Sequence, residues 1–204
     1  LAKDIGPGLA KSAVAVSVNG VQRDLHDVIE GDASVSIITI DSDEGIEIMR
    51  HTLTAQVLAR AIKNLYPKSK LAIGPTIDDG FYYDVESEKS ISSDDLSKIE
   101  DEMKKIIKTK SSITKKLVSK SEALKVFKEK KESYKEIIVN ESKQKDNFQL
   151  YYQDDKKFVD LCRGPHLPNL EFIGSFKLTK VSGAYWKGDS ANAMLTRIYG
   201  TAFN

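Results

Sequence analysis

The residues with the clearest chemical potential lie in one short stretch of the sequence. Cys162 and His166 stand four positions apart around a Gly-Pro pair, and Asp160 precedes the cysteine by two positions. The Gly-Pro pair indicates a tight turn that can direct the thiol and the imidazole into one pocket, and Asp160 shares the strand face of Cys162. Such a cluster can position a water molecule or bind a metal ion. A buried cysteine beside a structural histidine is the alternative.

Side chains of this kind are scarce in the rest of the chain. The 204 residues include one cysteine and three histidines, His26, His51 and His166. This count excludes a disulfide framework, and it excludes any zinc site with four Cys or His ligands that does not use nearly all of them. With 40% hydrophobic and 30% charged residues, the composition is typical of a soluble globular protein.

The sequence contains no recognisable targeting or membrane segment. Residues 1–4 lack a charged stretch followed by an apolar one, and no run approaches the roughly 18 to 20 apolar residues of a membrane span. We therefore expect a cytoplasmic location. Because the chain begins without Met and inside a helical pattern, we also expect it to be part of a longer protein.

The formal net charge of +1 hides a segregation of charge along the chain. Residues 78–102 contain ten acidic residues and two lysines, whereas residues 103–135 contain twelve lysines and three acidic residues. A lysine-rich surface of this kind can follow a phosphate backbone. Two solvated helix faces are the alternative.

The elements that must position the chemical groups fall into two predicted domains. Residues 1–43 contain two strand-like runs and an Asn19-Gly20 turn, which predicts a small α+β unit. In residues 44–204, an apolar residue recurs every fourth position from Leu53 to Leu65, which predicts an amphipathic helix over residues 45–66.

The rest of the second domain is predicted to alternate helices with short strands. Ser92 and Asp95 resemble a capping box at the start of a helical, lysine-rich segment over about residues 92–135. Strand-like runs on both sides of this segment favour an antiparallel sheet. The fold class expected is therefore α+β.

Ordered motifs over nearly the whole chain resemble threonyl-tRNA synthetase. Residues 4–11 (DIGPGLAK) and 18–20 (VNG) are similar to its TGS domain, a β-grasp module. The motifs similar to its editing domain are residues 72–75 (AIGP), 80–84 (GFYYD), 132–135 (ESYK), 160–166 (DLCRGPH), 183–190 (GAYWKGDS) and 197–202 (RIYGTA). The resemblance implies a truncated β-grasp TGS module at residues 1–43. It implies an α+β editing domain of the type shared with alanyl-tRNA synthetase, with an antiparallel sheet and long helices, at residues 44–204.

The resemblance implies post-transfer editing. Serine and threonine differ by one methyl group, which gives only about 1 to 3 kcal/mol of discrimination, so a second, hydrolytic site must remove serine from tRNA(Thr). The implied partners are the 3′ end and acceptor stem of tRNA(Thr), and the full-length enzyme is expected to be a homodimer without membrane contact. ATP and zinc are expected only in the aminoacylation core, which this sequence does not include. A catalytically degenerate module that binds tRNA or holds domains in register is the alternative.

The same resemblance assigns roles to individual residues. Asp160 would take the substrate amino group or orient water, and Lys135 would lie near the terminal ribose. Tyr83 and the backbone at Gly74 would form the side-chain pocket. The full set comprises the catalytic candidates His51, Lys135, Asp160, Cys162 and His166, and the substrate-binding candidates Gly74, Tyr83, Gln56 and Trp186, with packing as the alternative for Trp186.

The long helix departs from the pattern of the family, which has His-x-x-x-His directly after an arginine. Anchoring the pattern at Arg50 places His51 and Ala55 at the two histidine positions, whereas anchoring it on the downstream aliphatic run places Thr52 and Gln56 there. In a regular helix, residues five apart differ by about 140°, so His51 and Gln56 cannot both face the pocket. A π-bulge near Thr52 would restore His51. Gln56 can hold a water molecule but cannot act as a base near neutral pH.

A zinc ion is the remaining question that the resemblance raises. The related alanyl-tRNA editing domains bind zinc through a His-x-x-x-His and a Cys-x-x-x-His motif, whereas this chain offers at most His51, Cys162 and His166. The threonyl family is not expected to depend on a metal here. We therefore expect no metal or other cofactor for editing, with a three-ligand zinc site as the alternative.

Overall fold

The structure is a computed structural model that describes residues 1–154 and 156–204. Its elements, in chain order, are α1 (Ala2–Ile5), α2 (Pro7–Ser12), β1 (Ala13–Val18), β2 (Val21–Asp24), β3 (Val35–Thr39), α3 (Asp43–Thr52), a π-helix (Leu53–Leu58), α4 (Ala59–Leu65), β4 (Lys70–Leu71), β5 (Thr76–Ile77), β6 (Gly80–Glu86), α5 (Leu96–Lys108), β7 (Ile113–Val118), α6 (Lys120–Glu129), α7 (Ser133–Glu141), β8 (Phe148–Gln153), β9 (Val159–Leu161), β10 (Ser175–Tyr185) and β11 (Met194–Phe203). Short 3₁₀ turns connect some of them.

The N-terminal unit is a three-stranded antiparallel sheet in the order β2-β1-β3, preceded by α1 and α2. Asn19 and Gly20 connect β1 to β2 with φ of 50° and 80°, which is the left-handed geometry that tight hairpin turns need and that Asn-Gly accepts. The predicted turn is therefore present. The sequence pattern did not reveal β2, because its first three residues are exposed and show no apolar alternation.

The predicted helix over residues 45–66 is one continuous helical run from α3 through the π-helix to α4. It begins where the Ser42 hydroxyl accepts the Gly45 N–H at 3.0 Å, a standard N-cap contact. All six residues of the π-helix are buried. The run lies at the centre of the molecule, between the sheets.

Two further antiparallel sheets complete the fold. The larger has the order β10-β11-β6-β4, and β5 also pairs with β6. The smaller has the order β7-β8-β9, so β9, which carries Asp160, is one of its edges. The α+β class with antiparallel sheets agrees with the sequence prediction.

The prediction of a helical segment over about residues 92–135 was wrong in its middle. The capping box at Ser92 and Asp95 is present and leads into α5, but residues Ile113–Val118 form β7 before α6 begins. Ile113 and Val118 are buried, and β-branched residues favour a strand that packs against neighbours. The lysines between them hid this strand from the pattern.

One hydrophobic core joins the N-terminal sheet to the larger part of the chain. Val14 and Ile38 of that sheet lie in the same buried cluster as Met49 and Leu53 of the central helical run. The two parts therefore fold against one another, and the boundary at residue 43 stays a prediction. Within residues 1–154 and 156–204, none of the helices has both the length and the apolar character needed to cross a bilayer.

Candidate functional site

The loop after β9 carries the thiol and the imidazole. The Gly164 N–H points at Cys162 Sγ across 3.3 Å, and Gly164 has a φ of 64°, a conformation that glycine adopts without strain. A Cβ at Gly164 would also collide with the Tyr151 hydroxyl. Glycine is therefore required here for both reasons, and the turn that results brings Cys162 and His166 to the same side of the loop.

His51, Cys162 and His166 come together at this loop. His51 Nε2 lies 2.8 Å from Cys162 Sγ, and the rings of His51 and His166 are stacked with centroids 4.7 Å apart. Thr52 Oγ1 accepts the Leu167 N–H at 3.0 Å and lies 3.0 Å from His166 Nδ1. The His166 Nε2 atom is buried and has no hydrogen-bond partner among the described residues.

The π-helix decides which side chains of the central helix reach the site. It begins at Leu53, directly after Thr52, where a π-bulge is expected to turn His51 toward the site. His51 and Ala55 both line the same cavity. His51 and Ala55 are the two positions of the register anchored at Arg50, and they face the same cavity. Which register matches the family pattern stays a prediction.

Gln56 does not line the cavity, which corrects its assignment as a substrate-binding candidate. Its side chain is fully buried, its carbonyl accepts Gln153 Nε2 at 2.7 Å, and its own Oε1 lies 3.3 Å from that nitrogen. The wide turn of the π-helix rotates Gln56 toward the sheet formed by β7, β8 and β9. The residue therefore connects the helix to that sheet.

A buried ion pair lies beside the thiol. Lys135 Nζ on α7 is 2.8 Å from Asp160 Oδ1 on β9, and the two residues are only 3% and 1% exposed. The Leu161 N–H donates to Asp160 Oδ1 at 2.8 Å, and the Tyr83 hydroxyl donates to Oδ2 at 3.3 Å. Burying two charges is costly even when they are paired, and such groups in a cleft are candidates for function.

Burial shifts the pKa values of three groups in the site. Burial, and to a lesser degree the charge of Lys135, lower the pKa of His51 from 6.5 to about 4, so this imidazole is neutral at pH 7. Burial raises the pKa of Cys162 to about 12, so the residue is a thiol and not a thiolate nucleophile. Burial also raises the pKa of Asp160, and Lys135 opposes that shift.

A cavity of about 690 Å³ joins these groups. His51, Ala55, Gly74, Lys135, Asp160 and Cys162 are among the residues that line it. Gly74 forms part of the wall, and a Cβ at this position would collide with the ring of Tyr83 and come within 2.9 Å of Thr54 Oγ1. The lining of the cavity thus includes a tightly packed glycine backbone, a neutral imidazole, a thiol and an ion pair.

Comparison with protein families identifies both parts of the chain. The TGS domain model matches residues 1–39. The model of the Threonyl and Alanyl tRNA synthetase second additional domain matches residues 149–199, which include Asp160, Cys162 and His166. The chain therefore contains a TGS domain and an editing-type domain of the kind found in threonyl- and alanyl-tRNA synthetases, which is consistent with an N-terminal fragment of a threonyl-tRNA synthetase.

Trp186 does not line the cavity, which corrects its assignment as a substrate-binding candidate. Its ring packs edge-on against Tyr134 at a centroid distance of 4.9 Å, in a separate buried cluster with Ala72 and Leu195. Packing, the alternative role, is the one that the structure shows. Tyr83 lies behind the residues that line the cavity. Its ring packs against Gly74, and its hydroxyl donates a hydrogen bond to Asp160.

The three side chains that meet at the loop are of a kind that can bind a metal ion. The ligand atoms of His51, Cys162 and His166 lie within 4.8 Å of one another. Two imidazoles and one thiolate with an open fourth position are a known zinc arrangement. Binding would require the Cys162 thiol, with its pKa of about 12, to lose its proton. The prediction that editing needs no metal therefore stays a prediction.

Sequence reasoning missed two residues of the site and gave Thr52 only as an alternative helix position. Tyr151 packs edge-on against His166 at a centroid distance of 4.5 Å. Asp24, from the TGS domain, accepts the His166 N–H at 2.9 Å. No local signal marks either residue, because Tyr151 is an ordinary buried strand position and Asp24 lies 142 positions from its partner.

Proposed function

We propose that the chain hydrolyses the ester bond of seryl-tRNA(Thr) and so removes serine attached to the wrong tRNA. The observation that carries the proposal is one cavity of about 690 Å³ on which a neutral imidazole, a thiol and a buried Lys135–Asp160 pair converge. Asp160 and Cys162 of this cavity lie in the segment that matches the editing-type domain of threonyl- and alanyl-tRNA synthetases.

The ion pair is suited to bind an aminoacyl ester, because its two charges complement those of the substrate. The carboxylate of Asp160 is suited to bind the α-ammonium group of the serine. The Lys135 ammonium lies 2.8 Å from that carboxylate, so it would stand near the ribose and the ester. There it would stabilise the negative charge that develops on the carbonyl oxygen, and fixed charges in a buried site do so more effectively than solvent.

The imidazole and the thiol are suited to hold the attacking water. Hydrolysis forms a bond between the water oxygen and the carbonyl carbon, breaks the bond to the ribose oxygen, and leaves the proton of the water on that oxygen. Neutral His51 can accept a hydrogen bond from the water, and Cys162 Sγ, 2.8 Å from His51 Nε2, fixes the direction of the ring. His166 supports His51 by stacking on it.

The wall at Gly74 is suited to distinguish serine from threonine. Its backbone packs directly on Tyr83 and Thr54, both buried, so this wall cannot retreat to admit a further methyl group. The small side chain of serine would fit between Gly74 and Ala55. Discrimination by one methyl group is limited to roughly 10- to 200-fold, which suffices when the first site has already discriminated.

A deacylation assay tests this function. Purified seryl-tRNA(Thr) is incubated with excess enzyme, and the release of serine is compared with spontaneous hydrolysis. We expect rapid hydrolysis of the seryl ester and slow hydrolysis of threonyl-tRNA(Thr) as the matched substrate control. A rate equal to spontaneous hydrolysis would show that the chain is not an editing enzyme.

One observation favours the alternative function, a degenerate module that only binds tRNA or keeps domains in register. The cavity position four residues after His51 holds Ala55, where the family pattern has a histidine. The variant Ala55→His restores that imidazole without changing the helix register. A large gain in deacylation would support degeneracy, whereas unchanged or reduced activity would show that the native site works with a single helical histidine.

The implied partners follow from the same proposal. The 3′ end and acceptor stem of tRNA(Thr) would enter the cavity, and the lysine-rich segment would approach the phosphate backbone. The homodimer, the cytoplasmic location, and the ATP and zinc of an aminoacylation core stay predictions.

A further inference from the structure

A carboxylate of the TGS domain reaches the loop that carries Cys162 and His166. Asp24 is the last residue of β2, and its Oδ1 atom accepts the His166 N–H at 2.9 Å. Its Oδ2 atom accepts the Tyr151 hydroxyl at 2.8 Å and lies 2.9 Å from Lys115 Nζ. With 16% of its side chain exposed, Asp24 is largely screened from water by these contacts.

Two of the three contacts of Asp24 affect His166. Asp24 accepts a hydrogen bond from the backbone N–H of His166, so it holds the backbone from which the imidazole side chain extends. Tyr151 packs edge-on against that ring at a centroid distance of 4.5 Å, and its hydroxyl lies against Gly164 in the loop. The His166 ring in turn is stacked on His51, with an angle of 4° between the planes. A change at Asp24 is therefore transmitted to His51 through two contacts.

The chain offers a matched control for this residue. Asp27 also belongs to the TGS domain and also binds Lys115, at 2.7 Å. None of the described contacts of Asp27 involves the loop of residues 162–166. Removing Asp27 therefore weakens the contact between the domains without touching His166.

We propose that Asp24 is a positioning residue for the hydrolytic site, so that the TGS domain forms part of the editing machinery. Its carboxylate holds the loop in the arrangement in which Cys162 and His166 meet His51. The inference rests on the proposed function for its kinetic consequences. Its structural content, that Asp24 holds the loop that carries Cys162 and His166, can be measured without substrate.

The kinetic test compares Asp24→Ala, Asp24→Asn and Asp27→Ala in deacylation of seryl-tRNA(Thr). Small displacements of a reacting group cost up to about 100-fold in rate, so we expect Asp24→Ala to lower kcat by about tenfold and to leave KM within twofold. Asp24→Asn keeps an oxygen that accepts the His166 N–H, so it should recover most of kcat. Asp27→Ala should stay within twofold of the unchanged chain in both constants.

The second test uses Cys162, the only cysteine of the chain, as a reporter of the loop. Its thiol reacts with an aromatic disulfide reagent at a rate set by burial and by its ionised fraction. We expect Asp24→Ala to raise the labelling rate by about fivefold, and Asp27→Ala to leave it unchanged. If the unchanged chain does not hydrolyse seryl-tRNA(Thr), the proposed function fails, but the labelling rates still decide the role of Asp24.

A purely structural role gives a different result. In that case Asp24→Ala and Asp27→Ala lower the melting temperature equally, and both keep the kcat and the labelling rate of the unchanged chain. That outcome would overturn the proposal. If Asp24→Ala does not fold, Asp24→Leu decides, because it keeps the size of the side chain and removes both oxygens: faster labelling than in Asp27→Leu supports the positioning role, and equal labelling refutes it.

Discussion

His51 and Cys162 lie 111 positions apart in the sequence, and their Nε2 and Sγ atoms meet at 2.8 Å. The contact joins the central helix to the loop after β9 at the edge of the cavity. Because the imidazole is neutral and the thiol is protonated, the pair is a hydrogen-bonded couple and not a thiolate–imidazolium pair. The neutral imidazole can therefore accept a hydrogen bond from water, whereas the protonated thiol cannot act as a nucleophile.

Replacing His51 should remove most of the hydrolytic activity. His51→Asn loses the ring nitrogen that holds the water, and positioned acid–base groups contribute about 10²- to 10⁴-fold. We expect single-turnover deacylation of seryl-tRNA(Thr) to slow by at least about 100-fold. His26→Asn is the control, because His26 lies in the TGS domain outside the cavity, and its rate should not change. Equal rates for both variants would contradict the role of His51.

Replacing Cys162 should have a smaller effect. With a pKa of about 12, the thiol is not ionised at pH 7 and cannot attack the ester. We expect Cys162→Ala to lower the deacylation rate by about tenfold or less, since His51 loses only an orienting contact. Mass spectrometry of the unchanged chain, quenched during turnover, should show no seryl thioester. A trapped thioester would show that Cys162 is the nucleophile.

The buried state of His51 should make the fold sensitive to acid. Its pKa is about 4 in the folded chain and 6.5 when exposed, so between these values only the unfolded chain takes up the proton. The free energy of unfolding therefore falls as the pH drops from 6.5 to 4, by on the order of 3 kcal/mol for this group. Urea denaturation at pH 7 and pH 4 should show a smaller loss in His51→Asn than in the unchanged chain. The same loss in both would contradict the assigned pKa.

Local sequence signals were sufficient for the parts of the fold that local chemistry determines. The Gly-Pro turn between Cys162 and His166, the capping box at Ser92 and the Asn19-Gly20 turn depend on neighbours within a few residues, and each is present. The TGS and editing-type domains were also recognisable, because their motifs are runs of adjacent residues.

The direction of Gln56 was not predictable from local signals. Two registers of the family pattern fitted the helix, and the π-helix buries Gln56 against Gln153. The packing of Trp186 on Tyr134 and the contact of Asp24 with His166 also join distant parts of the chain. Only the tertiary arrangement determines such contacts.

Removing one partner of the Lys135–Asp160 pair should destabilise the fold more than removing the charges of both partners. Lys135→Met leaves the Asp160 carboxylate buried without its countercharge, which should lower the free energy of unfolding by roughly 3–5 kcal/mol. Urea denaturation should show this loss for Lys135→Met and a smaller one for the double variant Lys135→Met, Asp160→Asn. The exposed pair Lys187–Glu141 is the control, because Lys187→Met should cost about 1 kcal/mol or less. Equal losses in the free energy of unfolding for the two lysine variants would show that burial does not determine how much the pair contributes to stability.

Removal of metal ions should leave hydrolysis unchanged. The proposed reaction uses water, His51 and the Lys135–Asp160 pair, and the Cys162 thiol would have to lose its proton to become a zinc ligand. After dialysis against a strong chelator, we expect the deacylation rate to stay within about twofold, and added Zn²⁺ to slow it by binding the side chains that would otherwise hold the water. Cys162→Ala should reduce that inhibition, since it removes one of three donors. A chelated enzyme that is inactive and recovers with Zn²⁺ would establish a metal-dependent site instead.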